Sequence, residues 1–274
     1  MTREESKECA INTVEFINIG RYYNNGKTYD ISKSIQTLLE RTKLYRKEEL
    51  FITRPKFEND PKIIFSKRTT TEACQNMVDI YKGSHLKVGA LNFASAKHPG
   101  GGFLRGALAQ EESIARVSTL YPSLLKCPEF YNYNMSLKTA LYSDYIIYSE
   151  GVTVIKDDNG ELLENPYNID VITSPAPNAK VIRENEKHNI SKINITMENR
   201  IRKIIKVAIL NNIDCLILGA FGCGVFGNSL FDVSKIFRKI LIEEDLGKYF
   251  KVIEFAIYDR NPNTYISFEK TFKS

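Results

Sequence analysis

Residues 86–113 read LKVGALNFASAKHPGGGFLRGALAQEES, and the order of features along them decides the fold. The mostly apolar run from Leu86 to Ala94 has the texture of a buried strand. It leads into three consecutive glycines, Gly100 to Gly102. Such a run loses much backbone entropy on ordering, so it persists where something must approach the main chain closely. Gln110, Glu111 and Glu112 then open a helix, whose first turn favours acidic residues through its dipole. A surface helix start would by itself account for the acidic pair. It would not account for the pair's place behind a triple glycine at the mouth of a strand. Successive residues on a helix diverge by about 100°. One carboxyl can therefore face a ligand while its neighbour braces it.

The same alternation continues outward. KIIFSK (62–67) reads as a strand, and Thr69 with Glu72 has the spacing of a capping box that starts a helix through Tyr81. DYIIYSEGVTVIKD, NIDVITSP, IDCLILGAF and VIEFAIYD (252–259) are further strands, rich in β-branched and aromatic residues. Helical patterns cover 110–125, 196–211, 230–243 and 263–272, and KDDNGELLENP (156–166) reads as a hairpin or surface turn. Strands alternating with helices predict an α/β sandwich around a central sheet. The N-terminal part is more polar, with amphipathic helical runs at Glu4 to Tyr23 and Ile31 to Leu50. The expected organisation is an accessory helical segment, 1–57, packed on an α/β domain, 58–274.

With 274 residues, 43% of them hydrophobic, the chain can bury the core of one large domain. Lysine and arginine exceed aspartate and glutamate by 38 to 33, for a net charge of +5 without clusters. That suits an anionic ligand better than a nucleic-acid duplex. No apolar run approaches a membrane span and MTREESKECA lacks a signal-peptide core, so a soluble, cytoplasmic protein is expected. The five cysteines are scattered without a CxxC pair, which predicts reduced thiols and no zinc site.

A second loop, GAFGCGVFGNS (Gly219–Ser229), joins a strand to a helix. Its glycines let backbone N–H groups face one spot, and the following helix adds its positive end, so a diphosphate is the natural occupant. Tight turns also demand glycine for structural reasons alone. A Walker lysine is missing, which argues against nucleoside triphosphate hydrolysis. Phe226, flanked by glycines, is suited to lie against a sugar or base, or to serve as a hydrophobic plug. Cys223 reads as a small residue in a tight loop, with no histidine near it in sequence to activate it.

Together the two loops resemble the microbial-type poly(ADP-ribose) glycohydrolases, whose signature is GGG followed six to eight residues later by QEE. Here Gly100, Gly101 and Gly102 precede Gln110, Glu111 and Glu112 by seven residues, and GAFGCGVFGN is similar to the family's diphosphate loop. The resemblance spans roughly 65–272. It implies a macrodomain-like three-layer α/β/α sandwich with a mixed central sheet and an N-terminal accessory segment. It also implies site roles. Glu112 is the general acid/base and Glu111 holds the distal ribose, with Asn92 near the same sugar. Gly100 to Gly102 wrap that ribose and the adjacent diphosphate, to which Gly222, Cys223, Gly224, Val225, Phe226 and Gly227 supply amides. Gln110 contacts substrate as part of the signature, Phe226 packs on a ribose, and Tyr258 is the candidate to stack on adenine.

The reaction so implied is cleavage of ribose–ribose glycosidic bonds, mainly from the free end, releasing ADP-ribose. Its oxocarbenium-like transition state needs a proton for the departing oxygen and negative charge near the sugar carbon. A glutamic acid can donate that proton and then activate water. No metal or cofactor is expected, and the partner is poly(ADP-ribose) or another ADP-ribosylated macromolecule, acted on by a monomer. Two other readings remain at this stage: a macrodomain that binds ADP-ribose without cutting, and a hydrolase that removes single ADP-ribose units from protein or nucleic acid.

Overall fold

The first 57 residues are less helical than their pattern predicts. In the computed structural model, which describes residues 1–46, 49–258 and 262–273, helix α1 (Arg3–Ile19) starts on a capping box of Thr2 and Glu5. It stops at Gly20, whose φ of 77° ends the helix in the left-handed region. Strands β1 (Arg21–Asn24) and β2 (Lys27–Asp30) then form a hairpin where the helix was expected to run to Tyr23. Helix α2 (Ser32–Arg41) fills only the first half of the run predicted to Leu50. Thr42 turns extended, and β3 (Lys43–Tyr45) joins one edge of the central sheet. Lys47 and Glu48 of that run lie outside the described residues.

Beyond this segment the alternation holds: β4 (Lys62–Ser66), α3 (Thr70–Ile80), β5 (Val88–Phe93), α4 (Gln110–Val117), α5 (Leu120–Leu125), α6 (Pro128–Ser136), β6 (Ile146–Lys156), β7 (Leu162–Ser174), α7 (Ala179–Asn185), α8 (Ile193–Leu210), β8 (Cys215–Leu218), α9 (Leu230–Arg238), β9 (Val252–Ala256) and α10 (Pro262–Lys273). The predicted capping box at Thr69 and Glu72 opens α3. The helix expected over 110–125 is broken into α4 and α5, because Ser118 is extended and bridges to Val154. Helices α6 and α7 are absent from the sequence reading: one carries tyrosines and asparagines in place of a clear apolar stripe, and the other has 7 residues. The run predicted to Glu243 leaves α-geometry after Arg238 for a wider π-type turn. Strand β9 ends at Ala256, and Asp259 of the predicted strand lies outside the described residues.

The seven-stranded sheet has the order β3-β6-β7-β5-β8-β9-β4. The strands from β7 to β4 run parallel, whereas β6 is antiparallel to β7 and to β3, so the sheet is mixed. Alternation along β8 shows how both faces are covered. Leu216 and Leu218 pack with Ile204, Ile205, Val233 and Phe237 of α8 and α9, whereas Cys215 and Ile217 pack with Ala73, Met77 and Ile114 of α3 and α4. Fully burying one such large apolar side chain contributes about 1.5–3 kcal/mol. The result is the three-layer sandwich that the alternation and the resemblance imply. No described helix is long and apolar enough to cross a membrane.

One buried charge ties this frame to the end of the sheet where loops collect. Arg200 of α8 is 0% exposed. It donates to Asp144 at 2.8 and 3.0 Å, to Leu141 O at 3.0 Å, to Tyr142 O at 3.3 Å and to Pro175 O at 2.7 Å. Pro175 follows β7 and precedes Ala176, so the guanidinium sets the backbone just beyond the carboxyl end of that strand. Replacing Arg200 with Met would strand those carbonyls without donors. The variant is expected to lose at least about 2 kcal/mol of stability in urea unfolding, since each orphaned buried acceptor costs roughly 1–3 kcal/mol.

Candidate active site

A cleft of about 420 Å³ opens at the carboxyl ends of the parallel strands, where ligands collect in open α/β sheets. Its walls come from the segment after β4 (Arg68 to Thr71), from Phe93 and Ala94 after β5, and from Leu108 to Gln110, Ser113 and Ile114 around the start of α4. Ala176, the loop after β8, residues 256–258 at the end of β9 and Thr264 of α10 complete it. Of the residues marked in the sequence, Gln110, Gly222, Gly224, Val225, Phe226 and Tyr258 line this space. Asn92, Gly100, Gly101, Gly102, Glu111 and Glu112 are not among its lining residues, although Gln110 and Ser113, on either side of the two glutamates, are.

The sequence motif fixes the start of α4 through a few hydrogen bonds. Gln110 uses both ends of its amide: Oε1 accepts from Phe93 N at 2.8 Å, and Nε2 donates to Leu91 O at 2.7 Å and Thr70 Oγ1 at 3.0 Å. It clamps α4 onto β5 and α3 as well as lining the cleft. Glu111 turns inward and is 2% exposed. Its carboxyl accepts from Ser95 N at 2.6 Å and from Asn92 Nδ2 at 3.3 Å, and Asn92 also donates to Thr173 Oγ1 at 3.2 Å. Glu112 is half-buried, and its Oε1 accepts from Gly102 N at 2.9 Å. The divergence expected of neighbouring helical residues is thus realised, with one carboxyl buried against β5 and the other half-buried over the glycine turn.

Glycine is required at the centre of the turn. Gly100 and Gly101 have φ of 68° and 59°, in the left-handed region that side chains disfavour. A Cβ on Gly101 would collide with Glu112 Oε1 and stand 3.1 Å from Glu111 Oε2, so both carboxyls share the space that the missing side chain leaves. Burial pushes the Glu111 carboxyl up to about 8; the nearby Glu112 acts in the same direction, against the N–H groups of Ser95, Asn92 and Gly100. At neutral pH Glu111 therefore keeps its proton. Glu112 then has an uncharged neighbour.

Across the cleft, the loop after β8 presents its main chain. Gly222 has a φ of 71°, and a Cβ there would lie 2.5 Å from Ala176 Cβ and 2.8 Å from Asn228 Nδ2. Asn228 fixes the loop by donating to Gly222 O at 2.9 Å and Pro177 O at 2.8 Å. The amides of Cys223 and Gly227 close turns onto Ala220 O and Gly224 O at 3.1 and 2.9 Å. They are therefore not free for a ligand in the way the sequence suggests. Among the described residues, the amides of Gly222, Gly224, Val225 and Phe226 have no acceptor within the protein. Phe226 is half-buried beside Tyr142, with ring centroids 6.2 Å apart, and faces the cleft on its other side. Burial pushes the Cys223 thiol up to about 12, so it is no thiolate nucleophile. Tyr258, 75% exposed, also lines the cleft.

The sequence reading passed over Arg68, Thr69, Thr70 and Thr71 as lining residues. The available signal was their place between a strand end and a helix cap, on the side of the sheet where the two glycine loops also emerge.

A macrodomain-like sandwich with free loop amides in a cleft and a carboxyl pair at the adjoining helix start has the parts a glycoside hydrolase needs. Residues 10–157 match the family described as microbial-type PARG, catalytic domain. The X-ray structure of poly(ADP-ribose) glycohydrolase from Thermomonospora curvata matches with a TM-score of 0.92 and 36% identity, over 98% of this chain and 100% of that one. The same enzyme bound to the inhibitor ADP-HPD matches at 0.87 and 35%, with the same coverage. The poly(ADP-ribose) glycohydrolase of Deinococcus radiodurans in complex with ADP-ribose matches at 0.80 and 35%, over 87% of this chain and 97% of that one. No curated protein matches the chain. The chain belongs to the microbial-type PARG family, the poly(ADP-ribose) glycohydrolases.

Two outcomes test this geometry. Gly101→Ala is expected to displace Glu112 and lower kcat/KM for polymer about 100-fold, the scale of a misplacement near 1 Å, while the protein still melts cooperatively. The second concerns pH. Folding raises Glu111 from 4.5 to about 8, so the stability it contributes is complete below pH 4.5 and is lost as pH rises toward 8. Urea unfolding of the wild type should show that decline, and Glu111→Gln should flatten it; parallel slopes for the two proteins would rule out the buried proton.

Proposed function

We propose that the cleft takes one ADP-ribose unit of poly(ADP-ribose) and hydrolyses the ribose–ribose bond that joins it to the chain, mainly from the free end, with Glu112 as general acid and base. The observation that carries this assignment is the convergence of two carboxyls on Gly101 beside a cleft bordered by unpaired loop amides. Glu112, half-exposed at the turn, delivers a proton to the departing ribose oxygen and afterwards takes one from water. Glu111, held neutral by burial, orients the distal ribose without adding charge, and Asn92 steadies its carboxyl.

The amides of Gly222, Gly224, Val225 and Phe226 bind the diphosphate, with Phe226 against the adjoining ribose and Tyr258 beneath the adenine. The exposure of Tyr258 on the cleft's lining supports the last assignment. On this reading residues 1–57 are an accessory segment to the catalytic unit 58–274, and the protein is a cytoplasmic monomer that needs no metal or cofactor.

The test compares wild type with Glu112→Gln on purified poly(ADP-ribose), following free ADP-ribose by chromatography and ADP-ribose binding by calorimetry. The variant is expected to bind normally and to release ADP-ribose about 100- to 10,000-fold more slowly, the span of general acid–base contributions. Release at the wild-type rate by Glu112→Gln would remove Glu112 from the mechanism. Short oligomers appearing before ADP-ribose would replace cutting from the free end with internal cutting.

A further inference from the structure

One charged pair at the cleft takes no part in the scheme above. Glu254 of β9 is 0% exposed, and its Oε1 accepts from Ser66 Oγ at 2.6 Å and from Arg68 Nη1 at 3.2 Å. Its other oxygen, Oε2, is buried without a partner. Arg68 is 43% exposed at its side chain and lines the cleft with Tyr258. The two lie at adjacent strand ends: Ser66 is in register with Ala256, and Ile257 N donates to Ser66 O at 2.9 Å.

The backbone that carries Arg68 is fixed on its other side. Thr69 is the N-cap of α3, and the Thr69 and Thr71 hydroxyls both donate to the Asp158 carboxylate from the turn between β6 and β7. A buried carboxylate therefore grips one edge of a guanidinium whose main chain is itself held, and the rest of that planar group is presented to the cleft.

Charge decides what such a group receives. Glu254 at 3.2 Å offsets the positive charge of Arg68, so the pair attracts an anion far less than a lone arginine does. The loop after β8 already offers free amides to a diphosphate. What Arg68 retains is a flat, weakly hydrated face, suited to stacking on an aromatic base. The neighbouring walls, Ala256, Ile257, Phe93 and Phe221, are apolar and suit a base equally.

We propose that Arg68, oriented by Glu254, is a specificity-determining residue of the cleft: its guanidinium forms part of the seat for the purine of the substrate, together with Tyr258. This rests on the reading of the cleft as an ADP-ribose site. A purine offers such planes a larger face than a pyrimidine does, so stacking strength favours ADP over CDP. Arg68 is thus a binding residue, and Glu254 a positioning residue that acts through it.

The test is calorimetry with ADP-ribose, ADP and CDP on four proteins: wild type, Arg68→Lys, Glu254→Gln, and the double variant Arg68→Met with Glu254→Gln. The double variant removes the guanidinium without leaving a buried carboxylate unpaired, and Arg68→Lys keeps a counter-charge for Glu254, so folding is safeguarded by two routes and checked by cooperative melting. The double variant is expected to bind ADP-ribose at least about fivefold more weakly, the lower end of one base-stacking contact, and to lose much of the preference for ADP over CDP. Arg68→Lys should show most of that loss, because an ammonium has no face to stack. Glu254→Gln should show part of it. Wild-type affinity in the double variant, or full affinity and base preference in Arg68→Lys, would overturn the proposal while leaving the ADP-ribose site intact. Absence of ADP-ribose binding by the wild type would instead refute the site assignment, and the role of Arg68 with it.

Discussion

Burial of the Glu111 carboxyl against the end of β5 is the constraint around which the catalytic wall is arranged. A carboxyl that is 2% exposed has to be given donors or kept neutral, and here both occur. The donors, Ser95 N and Asn92 Nδ2, belong to β5 and the turn after it, so satisfying Glu111 places the first turn of α4 directly over that strand end. Gln110 repeats the tie one residue earlier. The intervening chain must then fold back beneath two carboxyls, which leaves no space for a side chain at Gly101. The N-terminal segment braces this turn from behind. Arg3 Nε donates to Arg105 O at 3.2 Å, and Thr13 Oγ1 donates to Arg116 O at 2.6 Å. A Cβ on Gly106 would strike Arg3 O.

The opposite wall is set by a separate chain of contacts. Arg200, buried in α8, holds Pro175 O, and Ala176 next to it packs where a Gly222 side chain would stand. Asn228 closes the loop onto Pro177 O and Gly222 O. The free amides of this loop thus owe their position to the layer behind the sheet that contains α8 and α9, and the carboxyl pair to the layer containing α3 and α4. Parallel strands bring both loops out at one end of the sheet, which is why motifs more than a hundred residues apart in sequence border one cleft.

Most of this frame is legible in the sequence, because its elements carry strong local signals. Apolar runs mark β5, β8 and β9, a capping box marks α3, and the spacing of the two glycine loops marks the cleft. Where the pattern misleads, tertiary pairing overrides local preference. Residues 21–24 continue an amphipathic run, yet Gly20 ends the helix and they pair as a hairpin. Ser118 interrupts an apolar period because it bridges to Val154. The site is less legible than the fold. Adjacency in QEE identifies two carboxyls and the resemblance assigns them separate roles, but the physical difference, a buried Glu111 beside a half-buried Glu112, comes only with the fold. Likewise the second loop shows its glycines in sequence, whereas which amides remain free depends on the turns that Cys223 and Gly227 close. Arg68 is hidden altogether, since its meaning comes from Glu254, 186 residues away.

The placement of the carboxyls also separates this site from glycosidases that divide acid and nucleophile between two groups facing each other across the bond. Glu111 and Glu112 approach one glycine from adjacent positions of one helix turn, and one of them keeps its proton. Their separation therefore says nothing about which face of the sugar water attacks. In the proposed mechanism one carboxyl performs both proton transfers, so the negative charge that an oxocarbenium-like ribose requires has to come largely from elsewhere. The substrate carries such charge in its own diphosphate. In that mechanism, amides that hold the diphosphate would also fix where its charge lies relative to the reacting carbon, giving the loop from Gly222 to Phe226 a part in the chemistry as well as in binding.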